Sequence, residues 1–559
     1  MISRSAACTP APSHIPADGI QGLKQNWRND LTTGLLVSLI ALPLCLGIAM
    51  ASGFPAFGGL VTAIVGGLVV GPLCGSRLSI KGPAAGLIAI AIASVEAFGQ
   101  GDSFQGYRLT LAVLVVAASL QMIFAVFRLG KFGDFFPASV VHGMLASIGV
   151  IIFAKQVHPL LGVKPIARAP IDLLLEIPHS LVKMNPEVAL VGFTSVLIVL
   201  FAHSVLGRLS RYFPGPLLAV LAGVGFCLFF DFAHPHNYTW YSDQYSVDDK
   251  YLVSLPSNFV AGITFPLFDL TRLVSATGVQ FILLFALIGS IESLLTVKAV
   301  DTIDPYKRHS DLNKDLLALG FGNLLTAILG GLPMISEVVR SYANVTYGAR
   351  TRWSNFFHGA CLLLYAVVLA DVIHLIPVAA LAGVLCVTGY RLAAPKHFQE
   401  TKHVGWDQLV VFSATILATL IRNDLLEGVF IGVVAQYVCC MIMGAPIKSL
   451  VSRVRPGTPG VDGRVTIKLP TACFFGNVIG FKQALAQAGD APLCIDFTAS
   501  VLVDHTFMRE FRAIECDCSQ SGRSLVSPGL ERLTPVSSHY ESARRLVVRE
   551  CRAEQLARS

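Results

Sequence analysis

The amino-acid sequence predicts an all-α polytopic membrane domain, followed by a small cytoplasmic α/β domain at the C-terminus. Of the 559 residues, 54% are hydrophobic and only 14% are charged, whereas soluble domains carry about 25% charged residues. No charged residue lies between Asp30 and Arg77, and similar charge-free stretches recur down to residue 447. The longer ones meet the roughly 20 residues that a helix needs to cross the hydrocarbon core.

The distribution of basic residues predicts how the membrane domain is oriented and how many segments it contains. Lysine and arginine concentrate in alternate loops, which the positive-inside rule assigns to the cytoplasm. The alternation gives about 14 transmembrane segments, if two short ones are counted, and places both termini in the cytoplasm. The predicted boundaries are a disordered N-terminus (1–27), a transmembrane domain (28–450) with repeat one at 28–232 and repeat two at 276–450, and the α/β domain (462–559).

The α/β domain is predicted from a change of pattern after about residue 455. An alternating strand pattern precedes an amphipathic helix, and the segment that begins at residue 491 repeats this order. A βαβα succession of this kind is typical of a small soluble domain.

Composition also excludes several classes of function. The net charge of +7 follows from the basic loops and does not indicate a nucleic-acid partner. Thirteen scattered cysteines form no metal-ligand pattern. Without a metal cluster, a nucleophile motif or a phosphate loop, we do not expect an enzyme, and no cofactor is expected beyond a possible coupling Na⁺.

Two segments do not fit ordinary membrane-spanning helices. They are SIKGPAAG (79–86) and GGLPMISEVVRSYANV (330–345), and each opens a short apolar stretch with helix-breaking glycine and proline. Proline is tolerated in the first turn of a helix. We therefore predict an extended piece that runs to mid-membrane and a half-helix that starts at Pro83 or Pro333. Two tight loops between full helices would leave too little apolar length.

The two breaks occupy matching places in the two halves. Pro83 lies 52 residues after Leu31 (83 − 31), and Pro333 lies 55 residues after Gly278 (333 − 278). Such a pair predicts two 7-span inverted repeats with a binding site at the midplane. The positive ends of two facing half-helices favour an anion.

Charged residues within membrane segments are costly and mark function. Glu292 and Thr296 lie one helical turn apart on the same face. They predict either a Na⁺ site or, since burial favours a neutral carboxyl group, a proton site. Glu292 is equally suited to pair with a base such as Arg340.

Arg340 is predicted to face inward with Ser336 and Pro333, from which it is separated by 4 and 7 residues. It would hold the anion or neutralise Glu292. Glu337 is expected to pair with Arg340 and not to act as a ligand. Lys81 either adds positive potential to the site or extends to the cytoplasmic interface.

At these residues the chain resembles the SulP anion transporters, relatives of the solute-carrier-26 proteins. Residues 311–359 resemble the signature of that family, residues 32–55 its first span, and SIKGPAAG the entry of its third span. The C-terminal unit resembles a short STAS domain. The matching features of the signature are Asn313, Gly320 and Asn323, Gly330-Gly331-x-Pro333, Arg340-Ser341, Asn344, the G-A-R-T of 348–351, and His358-Gly359.

The resemblance implies fourteen spans, a core domain that moves against a gate domain, and often a homodimer. Family members move sulfate, bicarbonate, chloride, oxalate or dicarboxylates. Glu292 and Thr296 match an acid and a hydroxyl that serve cation coupling in a Na⁺-dependent bicarbonate member, which has aspartate in place of Glu292. Met334, Ile335 and Ser336 fall where many relatives have small residues.

The expected function is secondary active transport of a small inorganic oxyanion, sulfate or bicarbonate, by Na⁺- or H⁺-coupled symport across a plasma (inner) membrane. The expected anion ligands are Pro83, Ala84, Ala85, Ile335, Ser336 and Arg340. The expected coupling-ion ligands are Glu292 and Thr296. Open alternatives are a nucleobase–cation symporter of the same architecture, a passive anion channel, and a membrane anchor whose soluble tail signals.

Overall fold

The computed structural model describes residues 15–130, 137–167, 169–240, 243–256, 259–446, 454, 457–459, 463–489 and 491–546. The chain forms two compact units. Of the described residues, the first unit comprises those within 15–130 and 148–393, and the second comprises those within 137–147 and 394–546. The predicted boundary between 450 and 462 falls largely outside the described residues, so the predicted domain limits stay predictions.

Helices dominate the first unit, and one of them, α6, extends into the second. They are α1 (Gly19–Ala51), α2 (Ala56–Val65), α3 (Gly71–Leu73), α4 (Ile88–Gly99), α5 (Ser103–Val126), α6 (Ala138–Leu160), α7 (Pro170–Val182), α8 (Pro186–Leu206), α9 (Gly215–Phe229), α10 (Leu270–Leu273), α11 (Ala276–Ile303), α12 (Leu312–Ile328), α13 (Val338–Thr346), α14 (Trp353–Val368), α15 (Ala370–His374) and α16 (Val378–Leu392).

The predicted polytopic helical architecture is confirmed. Seven helical stretches of the described chain are long and apolar enough to cross a membrane, and shorter apolar helices lie between and after them. Side-chain oxygens accept hydrogen bonds from the first N–H groups of several helices, for example Asp102 at α5, Asn185 at α8, Ser275 at α11 and Asp311 at α12. These caps satisfy donors that a helix start leaves free. The exact number of fourteen segments stays a prediction.

The two broken segments meet as a two-stranded antiparallel ribbon. The strands of this unit are β1 (Ile80–Pro83), β2 (His236–Trp240), β3 (Asp243–Val247) and β4 (Met334–Glu337). In the ribbon, β1 pairs with β4 in the register Ile80 to Glu337 and Pro83 to Met334. Backbone polar groups at membrane depth need partners inside the protein, and the ribbon supplies them. The adjoining α4 and α13 have 12 and 9 residues, too few to cross alone.

The second edge of β4 is bound by side chains. Asn323 on α12 accepts a hydrogen bond from the Met334 N–H at 2.6 Å and donates one to the Met334 carbonyl at 3.1 Å. Ser293 on α11 accepts a hydrogen bond from the Ser336 N–H at 3.1 Å. Because both edges of β4 have partners, the extended conformation is stable there without a third strand.

This arrangement corrects the predicted starts of both half-helices. Pro83 ends β1, and a short 3₁₀ turn (Ala85–Leu87) leads into α4 at Ile88. Residues 334 to 337 form a strand, and α13 begins at Val338 and not at Pro333. Arg340 therefore lies in the first turn of α13, and its predicted alignment with Pro333 and Ser336 on one helical face is wrong. The physical reason is the partnership of β4 with β1, Asn323 and Ser293, which spacing along the chain does not reveal.

Replacement of Asn323 by alanine is expected to destabilise the membrane domain. The substitution leaves the buried N–H and C=O of Met334 without their side-chain partners, at a cost of about 1–3 kcal/mol for each unsatisfied group. Equilibrium unfolding in mixed micelles measures the change, with Asn237→Ala in the exposed strand β2 as the matched control. Equal stability of the two variants would contradict the role given to Asn323.

The second unit contains the last helices of the membrane domain and the C-terminal α/β region. Its helices are α17 (Pro395–Val404), α18 (Trp406–Arg422), α19 (Leu425–Ile442), α20 (Val478–Ala488) and α21 (His505–Ser521). Its strands are β5 (Thr458–Pro459), β6 (Val465–Lys468), β7 (Ala472–Cys473), β8 (Leu493–Asp496), β9 (Leu502–Val503), β10 (Leu525–Val526), β11 (Thr534–Pro535) and β12 (Arg544–Arg545).

The strands form two four-stranded sheets, in the orders β10-β8-β6-β5 and β11-β12-β9-β7. The parallel pairing of β6 with β8, with α20 between them in the chain, is the βαβ unit expected from the sequence. Within this unit, Tyr437 of α19 packs on Phe474 and Phe475, with ring centroids 5.7 and 5.1 Å apart. At the start of α21, burial raises the pKa of Asp504 to about 7.

Candidate functional site

The ribbon of β1 and β4 carries a buried ion pair. Lys81 is fully buried, and its Nζ lies 2.6 Å from Oδ2 of Asp315 on α12. The same ammonium group donates to Ser336 Oγ at 2.5 Å, while Asp315 Oδ1 accepts from the Ser76 N–H at 3.1 Å. A buried charge is stable only when it is paired. Lys81 therefore neither extends to the interface nor adds net positive charge.

Several of the predicted anion ligands already have partners within the protein. The Ala84 N–H donates to the Pro333 carbonyl at 3.0 Å. The Ser336 hydroxyl, besides accepting from Lys81, lies 3.0 Å from Ser293 Oγ. The alternation along β4 directs the Ile335 N–H toward β1, where its register partner is Gly82. These groups hold the ribbon together, and their contact with an anion stays a prediction.

Arg340 is a buried charged residue whose guanidinium lacks a hydrogen bond within the described part of the chain. Its side chain is fully buried, and none of its three guanidinium nitrogens has a hydrogen-bond partner among the described residues. The guanidinium lies over Gly82, where a Cβ atom would collide with Nη1. Five N–H donors in a buried place without acceptors are energetically costly. The arrangement is therefore suited to a ligand that brings negative charge.

Glu292 belongs to α11, and its side chain packs against the start of the first half-helix at Gly86. It is 7% exposed, and its Oε2 has no hydrogen-bond partner in the described part of the chain. Both carboxylate oxygens would collide with a Cβ atom at Gly86, so the carboxylate packs directly on that backbone. Thr296, one turn further along α11, is 3% exposed. The structure thus brings Glu292 to the break and leaves acceptor capacity at its Oε2 atom, while the contact of Thr296 with a cation stays a prediction.

Glu337 is a third buried charged residue at this site, beside Glu292 and Arg340. It is 8% exposed, and its Oε1 accepts a hydrogen bond from the Ala85 N–H at 3.4 Å. Its charge interacts with those of both Glu292 and Arg340. The guanidinium is nevertheless unbonded, so the expected pairing of Glu337 with Arg340 is not present as a hydrogen-bonded contact.

Sequence reasoning missed part of this site. Glu337 was not expected to be a ligand, yet it contacts the first half-helix. Gly82 and Gly86 are the positions where Arg340 and Glu292 approach the backbone, and only glycine fits there. Their spacing of four residues around Pro83, opposite a second Gly/Pro break, is the signal that could have identified them.

The G-A-R-T segment has a structural role. Asp30 of α1 accepts hydrogen bonds from the Arg350 N–H at 2.8 Å and from the Thr351 hydroxyl at 2.5 Å. Arg352 binds Asp18, with Nη2 2.7 Å from Oδ2. These bonds join the first helix to the segment that precedes α14. The motif therefore braces the fold and does not line the site.

Comparison with known proteins agrees with this architecture. Residues 27–415 match the family model described as the sulfate permease family. A putative sulfate transporter of Bacillus subtilis, YvdB, is 26% identical over 416 residues, covering 74% of this chain and 73% of its own. The bicarbonate transporter BicA of Synechocystis is 23% identical over 526 residues, covering 94% of this chain and 88% of its own.

Solved structures show the same fold. The transmembrane domain of a cyanobacterial bicarbonate transporter, BicA, superposes with a TM-score of 0.60 at 23% identity, covering 73% of this chain and 98% of its own. Murine solute carrier 26 member A9 superposes with a TM-score of 0.64 at 14% identity, covering 89% of this chain and 84% of its own.

These comparisons give no support to a nucleobase–cation symporter or to a passive channel. The family match spans well over half of the chain, and the named relatives are transporters. The chain therefore belongs to the sulfate permease family of membrane anion transporters, and it is a transporter and not an enzyme.

Proposed function

We propose that this protein is a secondary active transporter that moves sulfate or bicarbonate by symport with Na⁺ or H⁺. The observation that carries the proposal is a pair of buried groups at the break that lack hydrogen-bond partners among the described residues: the Arg340 guanidinium and the Oε2 atom of Glu292. One suits an anion and the other a cation. The relatives named as a putative sulfate transporter and a bicarbonate transporter support this choice of anions.

The anion is held by the guanidinium of Arg340 and by N–H groups at the starts of the half-helices. Guanidinium binds oxyanions through two parallel hydrogen bonds, which fixes their orientation. The Ala85 N–H, at the start of the turn that leads into α4, faces the same region. Pro83, Ala84, Ile335 and Ser336 shape the site as parts of the ribbon.

The cation is held by Glu292 with the hydroxyl of Thr296. When Na⁺ or a proton neutralises this carboxylate, the core loses a buried negative charge close to the anion. Like charges in a poorly solvated site repel one another strongly. Binding of the cation therefore favours binding of the anion, which is the thermodynamic basis of coupling.

Transport proceeds by alternating access in the plasma (inner) membrane, with both termini in the cytoplasm and the protein as a homodimer. The ribbon contributes a rigid carrier element, because β4 is bonded to β1, α11 and α12. The site residues on β1, β4, α11 and α13 then move together past the other membrane helices.

Uptake by the purified protein in proteoliposomes tests the proposal. Labelled sulfate and bicarbonate are supplied while Na⁺ and pH gradients are imposed one at a time, and protein-free liposomes are the control. The expected result is accumulation of at least one anion, driven by one of the two gradients. Flux that follows only the anion's own electrochemical gradient would contradict symport and indicate a channel.

A further inference from the structure

Glu337 is the last residue of β4 and directly precedes α13, yet its carboxylate does not cap that helix. The residue at this position commonly accepts a hydrogen bond from the first turn of its own helix. In this protein no such bond forms at α13. The carboxylate instead accepts a hydrogen bond from the Ala85 N–H, at the start of the other half-helix. It thus occupies the donor that faces the proposed anion site.

The groups around this carboxylate come from several elements. Arg340 of α13, Glu292 of α11 and Cys45 of α1 all lie within electrostatic reach of it. Lys81 is neutralised by Asp315. Once the coupling cation neutralises Glu292, the fixed charges that remain at the site among the described residues are one positive charge on Arg340 and one negative charge on Glu337.

We propose that Glu337 is a tethered competitor that selects monovalent anions against divalent ones. This inference rests on the proposed function, because it concerns the same anion site. An incoming monovalent anion gives a site with one excess negative charge, while sulfate gives two. The repulsion from Glu337 is proportional to the charge of the anion, so sulfate experiences twice the repulsive free energy. The attraction to Arg340 is also proportional to the anion charge, so the effect of Glu337 is to shift the preference of the site toward a monovalent oxyanion such as bicarbonate.

The size of the effect follows from this proportionality. If the charge of Glu337 weakens binding of a monovalent anion about tenfold, equivalent to about one pKa unit of interaction, it weakens sulfate binding about a hundredfold. Removal of the charge therefore changes the preference between the two anions about tenfold. A substitution that changed only the shape of the site would not be expected to alter the binding of the two anions in proportion to their charge.

The test measures binding of bicarbonate, chloride and sulfate to the purified full-length protein at pH 8 and constant ionic strength, by thermal shift against anion concentration. The wild type is expected to bind the monovalent anions more tightly than sulfate. Glu337→Gln keeps an oxygen acceptor for the Ala85 N–H and removes the charge. It is expected to bind all three anions more tightly and to gain about tenfold more for sulfate.

Two further variants control the interpretation. Glu96→Gln removes an exposed glutamate at the far end of α4 and is expected to match the wild type. Glu337→Asp keeps the charge on a shorter side chain and is expected to retain the preference for monovalent anions. If Glu337→Gln leaves the ratio of sulfate to chloride affinity unchanged, or if neither it nor the wild type binds any of the anions, the inference is overturned.

The two proposals, symport and selectivity by Glu337, can be refuted independently of one another. A shift of the affinity ratio in a protein that shows no gradient-driven uptake would sink the proposed symport and leave the selectivity of Glu337 intact. Gradient-driven uptake with equal anion preference in the wild type and Glu337→Gln would do the reverse.

Discussion

Replacing Arg340 by glutamine is expected to lower the initial rate of anion uptake about a hundredfold. Two hydrogen bonds from a charged donor contribute about 3 kcal/mol together, and each 1.4 kcal/mol corresponds to about tenfold in affinity. Glutamine retains a donor but has neither the charge nor the paired geometry of guanidinium. Uptake of labelled bicarbonate and sulfate into proteoliposomes measures the loss.

The same variant is expected to be at least as stable as the wild type. The guanidinium is buried and forms no hydrogen bond with the described residues, so its removal relieves a desolvation cost. Arg340→Lys keeps a charge without the planar fork and is expected to retain intermediate activity. A large fall in the thermal unfolding midpoint of Arg340→Gln, in step with its loss of uptake, would show that Arg340 is structural.

Replacing Glu292 by glutamine is expected to abolish accumulation driven by the cation gradient. Glutamine is close in shape to glutamate but neither titrates nor supplies the negative charge that holds Na⁺. Because the variant carries a permanently neutral group at this position, it is expected to keep exchange of internal for external anion. Counterflow of labelled anion with no cation gradient measures the activity that remains, beside uptake under imposed Na⁺ and pH gradients.

Thr296→Ala distinguishes the two cations. A hydroxyl oxygen contributes to a Na⁺ site, since hard cations prefer oxygen ligands, but a proton on Glu292 does not need it. The half-saturating Na⁺ concentration is expected to rise in this variant if Na⁺ is coupled, and coupling to pH is expected to persist if a proton is. Gradient-driven uptake by Glu292→Gln at the wild-type rate would refute the coupling role.

The sequence predicts the membrane class, the two breaks and some of the charged residues at the site. These features depend on local composition. Charge-free stretches define the spans, and the matched positions of Pro83 and Pro333 define the repeats. The one-turn spacing of Glu292 and Thr296 predicts a shared face of α11, and the structure places Glu292 at the break and buries Thr296. The C-terminal α/β unit is predicted from its βαβ pattern.

Other features depend on partners that are distant in the chain. Asn323 and Ser293 hold Met334 and Ser336 extended, so α13 begins later than its proline suggests. The vacant hydrogen-bonding capacity of Arg340 and the reach of Glu337 to Ala85 emerge only when the ribbon brings the two halves together. Spacing along one segment carries no information about such pairings.

The ion pair of Lys81 with Asp315 has a consequence for biosynthesis. The two residues are 234 positions apart in the chain, and ribosomes add about 5–20 residues per second. The first half of the protein must therefore wait on the order of ten to fifty seconds after Lys81 is made before the aspartate that neutralises it exists. Over that interval the insertion machinery or water has to solvate the ammonium group and supply hydrogen bonds to the unpaired edge of β1. The first repeat is thus a nascent half whose membrane insertion is completed only by the synthesis of the second.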